Sequence, residues 1–203
     1  MSFIDTVHDD FIGFGTSAID TKAGFLVGRP YGGLAFLWRK KLGNSVSMRN
    51  YDDTRLLGMF ISGFGVQALL LNAYMPAADP DNHDLFQDYL GSIGAIVGEC
   101  GCGHVIIPGD WNARSDRVEF QWLVDFCSDS DLVLTDINRL PDDSFSYVSE
   151  SHHTVSWIDH VIMSTAANGA CTDMRILYDF IVSDHRPLFL FLLILGIYLM
   201  WRI

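Results

Sequence analysis

At 203 residues with 49% hydrophobic content, the chain can bury a substantial core and lies within the size range of one domain. A net charge of −12 and a pI of about 4.7 exclude a protein that grips nucleic acid by general electrostatics, because each phosphate contact usually calls for a Lys or Arg. They do not exclude phosphate chemistry, since carboxylates that hold a divalent cation supply the missing positive charge locally.

In chain order, Met1 to Asp10 carries acidic and polar groups where a secretory signal needs a basic start and an apolar run. Gly28 to Gly33 is a glycine-rich segment that opens a strand rather than a helix, so it reads as a tight turn before a phosphate cradle. Strands are expected at Leu34–Trp38, Leu56–Ile61, Gln67–Ala73, His104–Ile107, Leu132–Leu134, Trp157–Met163 and Ile176–Tyr178. Helices are expected over Leu85–Val97 and around Phe120, Leu123, Val124 and Cys127, where apolar residues recur at helical spacing. The runs Ala68 to Leu71 and Val105 to Ile107 are continuously apolar, as in strands covered on both faces of a layered α/β protein. Cys100, Cys102, Cys127 and Cys171 form no Cys-x-x-Cys pair and lack a His at zinc-finger spacing. They read as reduced thiols in an intracellular protein, nuclear or cytoplasmic. From Leu188 to Trp201 the chain is apolar throughout. As a helix it would reach about 21 Å against a hydrocarbon core of about 30 Å. Three readings of this tail stand: a final buried strand with a frayed end, a marginal membrane anchor, or a read-through tail.

Polar residues gather where strands end, which is where layered α/β proteins place ligand sites. Tyr74, held by Pro76, offers a phenol to a phosphate oxygen, or else lies as an aromatic lid over the core. Asp110 and Asn112 in Gly-Asp-Trp-Asn place an acid or base beside a neutral donor, and in an extended segment both point to one side. The alternative is an Asx turn closing a strand. Asp184 and His185 pair a cation ligand with a general base, or form a capping turn. Asp159 either orients that His or caps its own strand.

Taken in order, these clusters resemble the endonuclease/exonuclease/phosphatase (DNase I-like) superfamily, whose pattern runs Tyr-x-Pro, Gly-Asp-x-Asn, Ile-Asp-His/Tyr and Ser-Asp-His. Gly28 to Gly33 and Ser151 to His160 are further similar to the endonuclease domain of non-LTR (LINE-type) retrotransposons. The match extends nearly to Pro187. Residues 1–187 therefore read as a partial domain of this kind, and 188–203 as a hydrophobic strand or tail.

The resemblance implies an α/β (α+β) four-layer sandwich, with two mixed β-sheets face to face and helices outside. It implies phosphodiester hydrolysis with Mg²⁺ (or Mn²⁺), by a DNA-nicking endonuclease whose relatives carry a reverse transcriptase on the same polyprotein. By it Asp110 polarises the water or protonates the leaving oxygen, Asn112 and Tyr74 bind phosphate, Asp184 touches the cation, and His185 supported by Asp159 acts on the scissile phosphate. Ser146 falls where such endonucleases carry a small hydroxyl near the DNA. His152 and His153 read as solvated loop residues. The superfamily's N-terminal strands, ending in Asn and in Gln-Glu, are missing, and Glu99, Glu119 and Glu150 lie in the wrong places to replace that metal-binding Glu. The expectation is therefore an N-terminally truncated domain. A catalytically dead retroelement remnant and a phosphatase for small phosphoesters are the alternatives.

Overall fold

A computed structural model describes residues 8–17, 33–51, 53–63, 65–193 and 197–201, the last as backbone. The continuously apolar runs become the middle of a six-stranded sheet. Strands β1 (Phe11–Thr16) and β2 (Leu34–Arg39) form an antiparallel pair. The large sheet is built from β3 (Val46–Asn50), β4 (Leu56–Gly63), β5 (Val66–Tyr74), β6 (His104–Asp110), β7 (Leu132–Leu134) and β10 (Asp159–Ser164), in the order β3-β4-β5-β6-β10-β7. Of its pairings only β5 with β6 is parallel, and the crossover between them is helix α1 (His83–Glu99). A parallel pair requires such a connection, because a tight turn can join only antiparallel strands. Helix α2 (Val118–Asp129) joins β6 to β7 and is followed by the short α3 (Thr135–Arg139). The hairpin β8 (Tyr147–Ser149) with β9 (Thr154–Ser156) precedes β10, and α4 (Thr165–Ala170) follows it. Strands β11 (Cys171–Ile176), β12 (Leu188–Leu192) and β13 (Ile197–Trp201) form a third, antiparallel sheet.

The period of two along each central strand sorts the side chains between two cores. Leu69, Leu71, Val105, Ile107 and Ile162 face helices α1 and α2, meeting Phe86, Ile93 and Leu123. Ala68, Leu70, Ile106, Val161 and Met163 face the smaller sheets, meeting Phe36, Ile176, Leu188 and Leu190. Double coverage of the apolar runs is thus borne out, and so is the α/β class. Two details differ. The second sheet layer consists, among the described residues, of two separate antiparallel pieces rather than one mixed sheet. The long helices α1 and α2 cover one face of the large sheet, while α4 instead adds Ala167 to the core between the sheets.

The strand expected at Ile176–Tyr178 is Cys171–Ile176 instead, and Tyr178 lies outside it, 43% exposed. The apolar tail forms β12 and β13. Leu188, Leu190 and Leu192 are buried against β11 and the large sheet, which accounts for the apolar character of that part of the run without a bilayer. Among the described residues no helix is long and apolar enough to cross a membrane. Residues 28–32 of the glycine-rich segment lie outside the described residues.

Candidate active site

The large sheet brings three site residues into one row. In the strand registers Tyr74 lies beside Asp110, and Asp110 lies opposite Asp159. Asp110 shares its strand face with Ile106, and Asp159 with Val161, so both carboxylates look toward the smaller sheets at the end of the strands. Gly109 makes this row possible. A Cβ there would come within 2.3 Å of the Ala73 carbonyl oxygen, so only glycine lets β6 lie this close to β5 one residue before Asp110.

The site is closed from the other side by the loop entering β12. His185 forms a single antiparallel bridge with Tyr147, Val148 N–H donates to Asp184 O at 2.8 Å, and Arg186 N–H donates to Ser146 O at 2.6 Å. This stitching carries His185 Nδ1 to 3.1 and 2.9 Å from the two Asp159 carboxylate oxygens. Asp159 is itself held from below. The Ser146 hydroxyl oxygen accepts the N–H groups of Ile158 and Asp159, at 3.1 and 2.9 Å. Ser146 is fully buried, with its oxygen accepting both N–H groups, so it supports the backbone that carries Asp159.

Asn112 also corrects a sequence expectation. Its φ of 48° is left-handed, so the segment is not extended past Asp110 and the argument for two side chains on one side fails. What forms is an Asx turn, in which Asn112 N–H donates to Asp110 Oδ1 at 3.0 Å and Asn112 Nδ2 donates to Met75 O at 2.9 Å. Asn112 still stands beside Asp110, with one N–H of its amide engaged by Met75. Tyr74 has the Arg55 guanidinium 4.9 Å from its ring centroid, and Arg55 Nη1 donates to its carbonyl at 3.1 Å. Asp184 is half-buried at the edge of a groove of about 820 Å³, also lined by Tyr147, Glu150, Ile181, Val182 and Arg186.

The electrostatics of the row follow from crowding. Burial, then the facing Asp159 carboxylate, push the Asp110 carboxyl up to about 7, against the opposing pull of His185, the Asn112 N–H and His160. His185 titrates above the usual imidazole value. Burial works against its charge, but the hydrogen bond and charge of Asp159, with Asp110 and Asp184 beyond, outweigh it.

One pair of residues that sequence reasoning missed lies on the other face of β10. His160 is buried, its Nδ1 is 2.8 Å from Asp136 Oδ2 and its Nε2 is 2.8 Å from Ala113 O, while Val161 N–H donates to Asp136 Oδ1 at 2.8 Å. With Asp136 as a carboxylate both ring nitrogens act as donors, and the group is raised despite burial because Asp136 faces it. The neighbouring Asp159-His160 in sequence could have signalled two opposite-facing groups, but nothing in the sequence points to Asp136.

Carboxylate oxygens are the donors that Mg²⁺ or Mn²⁺ prefers. Among the described residues there is no group of three or more His, Cys, Asp or Glu placed to hold a metal ion. The row nevertheless fits the looser mode in which one or two carboxylates hold Mg²⁺ and water and substrate complete its shell. The repulsion between Asp110 and Asp159 is what a cation would relieve. The glutamates do not add to it: Glu119 is buried against His83 Nε2 at 3.2 Å, Glu99 ends α1, and Glu150 lies across the groove.

The carboxylate row closed by a His–Asp pair thus sits at the end of the mixed sheet of a layered α/β fold. The chain superposes on the endonuclease domain of TRAS1, a telomere-specific non-LTR retrotransposon, with a TM-score of 0.70 at 14% identity, over 92% of this chain and 81% of that one. It superposes on a variant of the 3' phosphatase NExo from Neisseria, bound to a product DNA hairpin, with a TM-score of 0.68 at 16% identity, over 90% and 79%. On the AP endonuclease LMAP from Leishmania major the values are 0.69 and 14%, over 89% and 69%. The fold implied by the sequence resemblance is therefore shown. No protein-family model and no curated protein sequence matches the chain.

Proposed function

We propose that the chain is a phosphodiesterase that nicks DNA, of the retrotransposon endonuclease type. The observation that carries this reading is the joined geometry of Asp110, Asp159 and His185: two buried carboxyl groups abreast and a histidine hydrogen-bonded to one of them. The named neighbours support it, since one is a retrotransposon endonuclease, one an AP endonuclease and one a 3' phosphatase bound to product DNA.

In this reading Asp110, titrating near 7, is the group that exchanges a proton with water at neutral pH. It takes the proton of the water that attacks the phosphorus. His185 titrates above its usual value beside Asp159, and in this reading it offers Nε2–H to a phosphate oxygen rather than acting as the base. Asp159 fixes its orientation through Nδ1. Asn112 and Tyr74 flank the phosphate. Asp184 would hold a Mg²⁺ or Mn²⁺ ion, which would offset charge developing on the phosphate.

The test is conversion of supercoiled plasmid to the nicked form with and without Mg²⁺. The reading expects Mg²⁺-dependent nicking that disappears in Asp110→Ala and His185→Ala. No nicking at any Mg²⁺ concentration would instead mark a dead remnant. Faster turnover of a small phosphoester than of DNA would mark a phosphatase.

A further inference from the structure

Cys100 closes the C-terminal end of α1, and only Gly101 separates it from Cys102. Gly101 has a φ of 63°, a left-handed turn that a glycine adopts without strain and that folds the two cysteines back on each other. Each sulfur reaches the other residue. Cys102 N–H donates to Cys100 Sγ at 3.3 Å, and Cys102 Sγ donates to the Cys100 carbonyl at 3.5 Å. Both residues are half-buried and free, whereas Cys127 and Cys171 are buried. The turn opens to solvent, because a side chain added at Gly101 or Gly103 would meet nothing within 4 Å. Two half-buried thiols joined by a single glycine, each sulfur set against the backbone of the other residue, constitute more than packing.

We propose that Cys100 and Cys102 form a reversible dithiol site that closes to an intramolecular disulfide when it meets a hydroperoxide. Cys100 is assigned as the attacking residue: its sulfur donates to the Val97 carbonyl at 3.1 Å as a thiol, and as a thiolate it gives up that bond but keeps the Cys102 N–H. The Cys100 thiolate attacks one peroxide oxygen, the O–O bond breaks, and the departing hydroxide takes the displaced thiol proton to leave as water. Cys100 is then a sulfenic acid. The Cys102 sulfur attacks Cys100 Sγ, the S–O bond breaks, and the departing hydroxide takes the Cys102 proton to form a second water. Two thiols have lost two electrons and two protons, and the peroxide has become two waters. Burial and the neighbouring Cys100 sulfur hold the Cys102 thiol up at about 11, so Cys102 is the poorer first nucleophile of the two and is assigned the second, intramolecular step. The closed ring would tie the end of α1 to the turn that leads into β6, the strand that ends in Asp110.

The experiment treats the folded full chain with a small excess of hydrogen peroxide and maps its thiols by mass spectrometry. Tryptic cleavage after Arg55 and Arg114 gives one peptide holding Cys100 and Cys102 and no other cysteine. The expected result is loss of two hydrogens from that peptide, restored by a dithiol reductant, with Cys127 and Cys171 unchanged. In Cys102→Ser the same treatment should leave a sulfenic acid at Cys100 that dimedone captures. The proposal is overturned if both residues remain thiols, if a disulfide forms with Cys127 or Cys171, or if Cys100 passes to sulfinic acid while Cys102 is intact.

Discussion

Asp159 and His160 are neighbours on β10, and each makes a His–Asp pair, yet the two pairs do opposite work. His160 points to the helix side, where Asp136 and the Ala113 carbonyl occupy both ring nitrogens in a dry interior. Asp159 points to the sheet side and holds only Nδ1 of His185, whose side chain is 15% exposed. An imidazolium with both nitrogens taken fastens elements together, whereas one with a nitrogen to spare can meet a substrate. The strand's period of two places these roles one residue apart.

The comparison predicts separable losses. The largest is at the closed pair: Asp136→Ala leaves a buried imidazolium and the Val161 N–H without their acceptor, and should lower unfolding free energy by about 3–5 kcal/mol in denaturant titration. At the open pair, His185→Ala should cut the nicking rate on the order of 10³-fold, about 4 kcal/mol of barrier, with a smaller loss of stability than at Asp136. Equal losses of stability from the two variants would erase the distinction.

Next comes Asp110→Asn. Because the native carboxyl titrates near 7 and the unfolded one near 3.8, the native state binds the extra proton between these values, and stability falls as pH rises through that window. The amide, which keeps an acceptor for Asn112 N–H, should be more stable than wild type at pH 8 by about 4 kcal/mol, with little difference near pH 4. Chemical denaturation at the two pH values checks it. The smallest effect is at Ser146→Ala. It leaves two N–H groups beneath the site without their acceptor, and should cost about 1–2 kcal/mol while loosening Asp159, so that the nicking rate drops more than stability accounts for.

Much of this was legible in the sequence. Ala68 to Leu71 and Val105 to Ile107 had to be central strands, and the polar residues that follow them, Tyr74 and Asp110, had to sit at strand ends. The turn at Asn112 was not legible as geometry, since a left-handed residue after a strand leaves little periodic trace. Cys171–Ile176 was hidden because its middle residues Thr172, Asp173 and Arg175 are polar and only its two ends are buried. The apolar run from Leu188 was plain, but its folding into two paired strands depends on contacts that a run of leucines cannot specify. Asp136 was invisible because its partner stands 24 residues away, on a face of β10 opposite to the site.

The central claim is that Asp110, abreast of Asp159 and within reach of His185's influence, performs proton transfer in phosphodiester cleavage. The most direct measurement is the initial rate of plasmid nicking at saturating Mg²⁺, wild type against Asp110→Asn, at a pH where both are folded. The account predicts a nicking wild type and an amide variant slower by on the order of 10³-fold despite its greater stability. A variant within tenfold of wild type, or a folded wild type that never nicks, would contradict it.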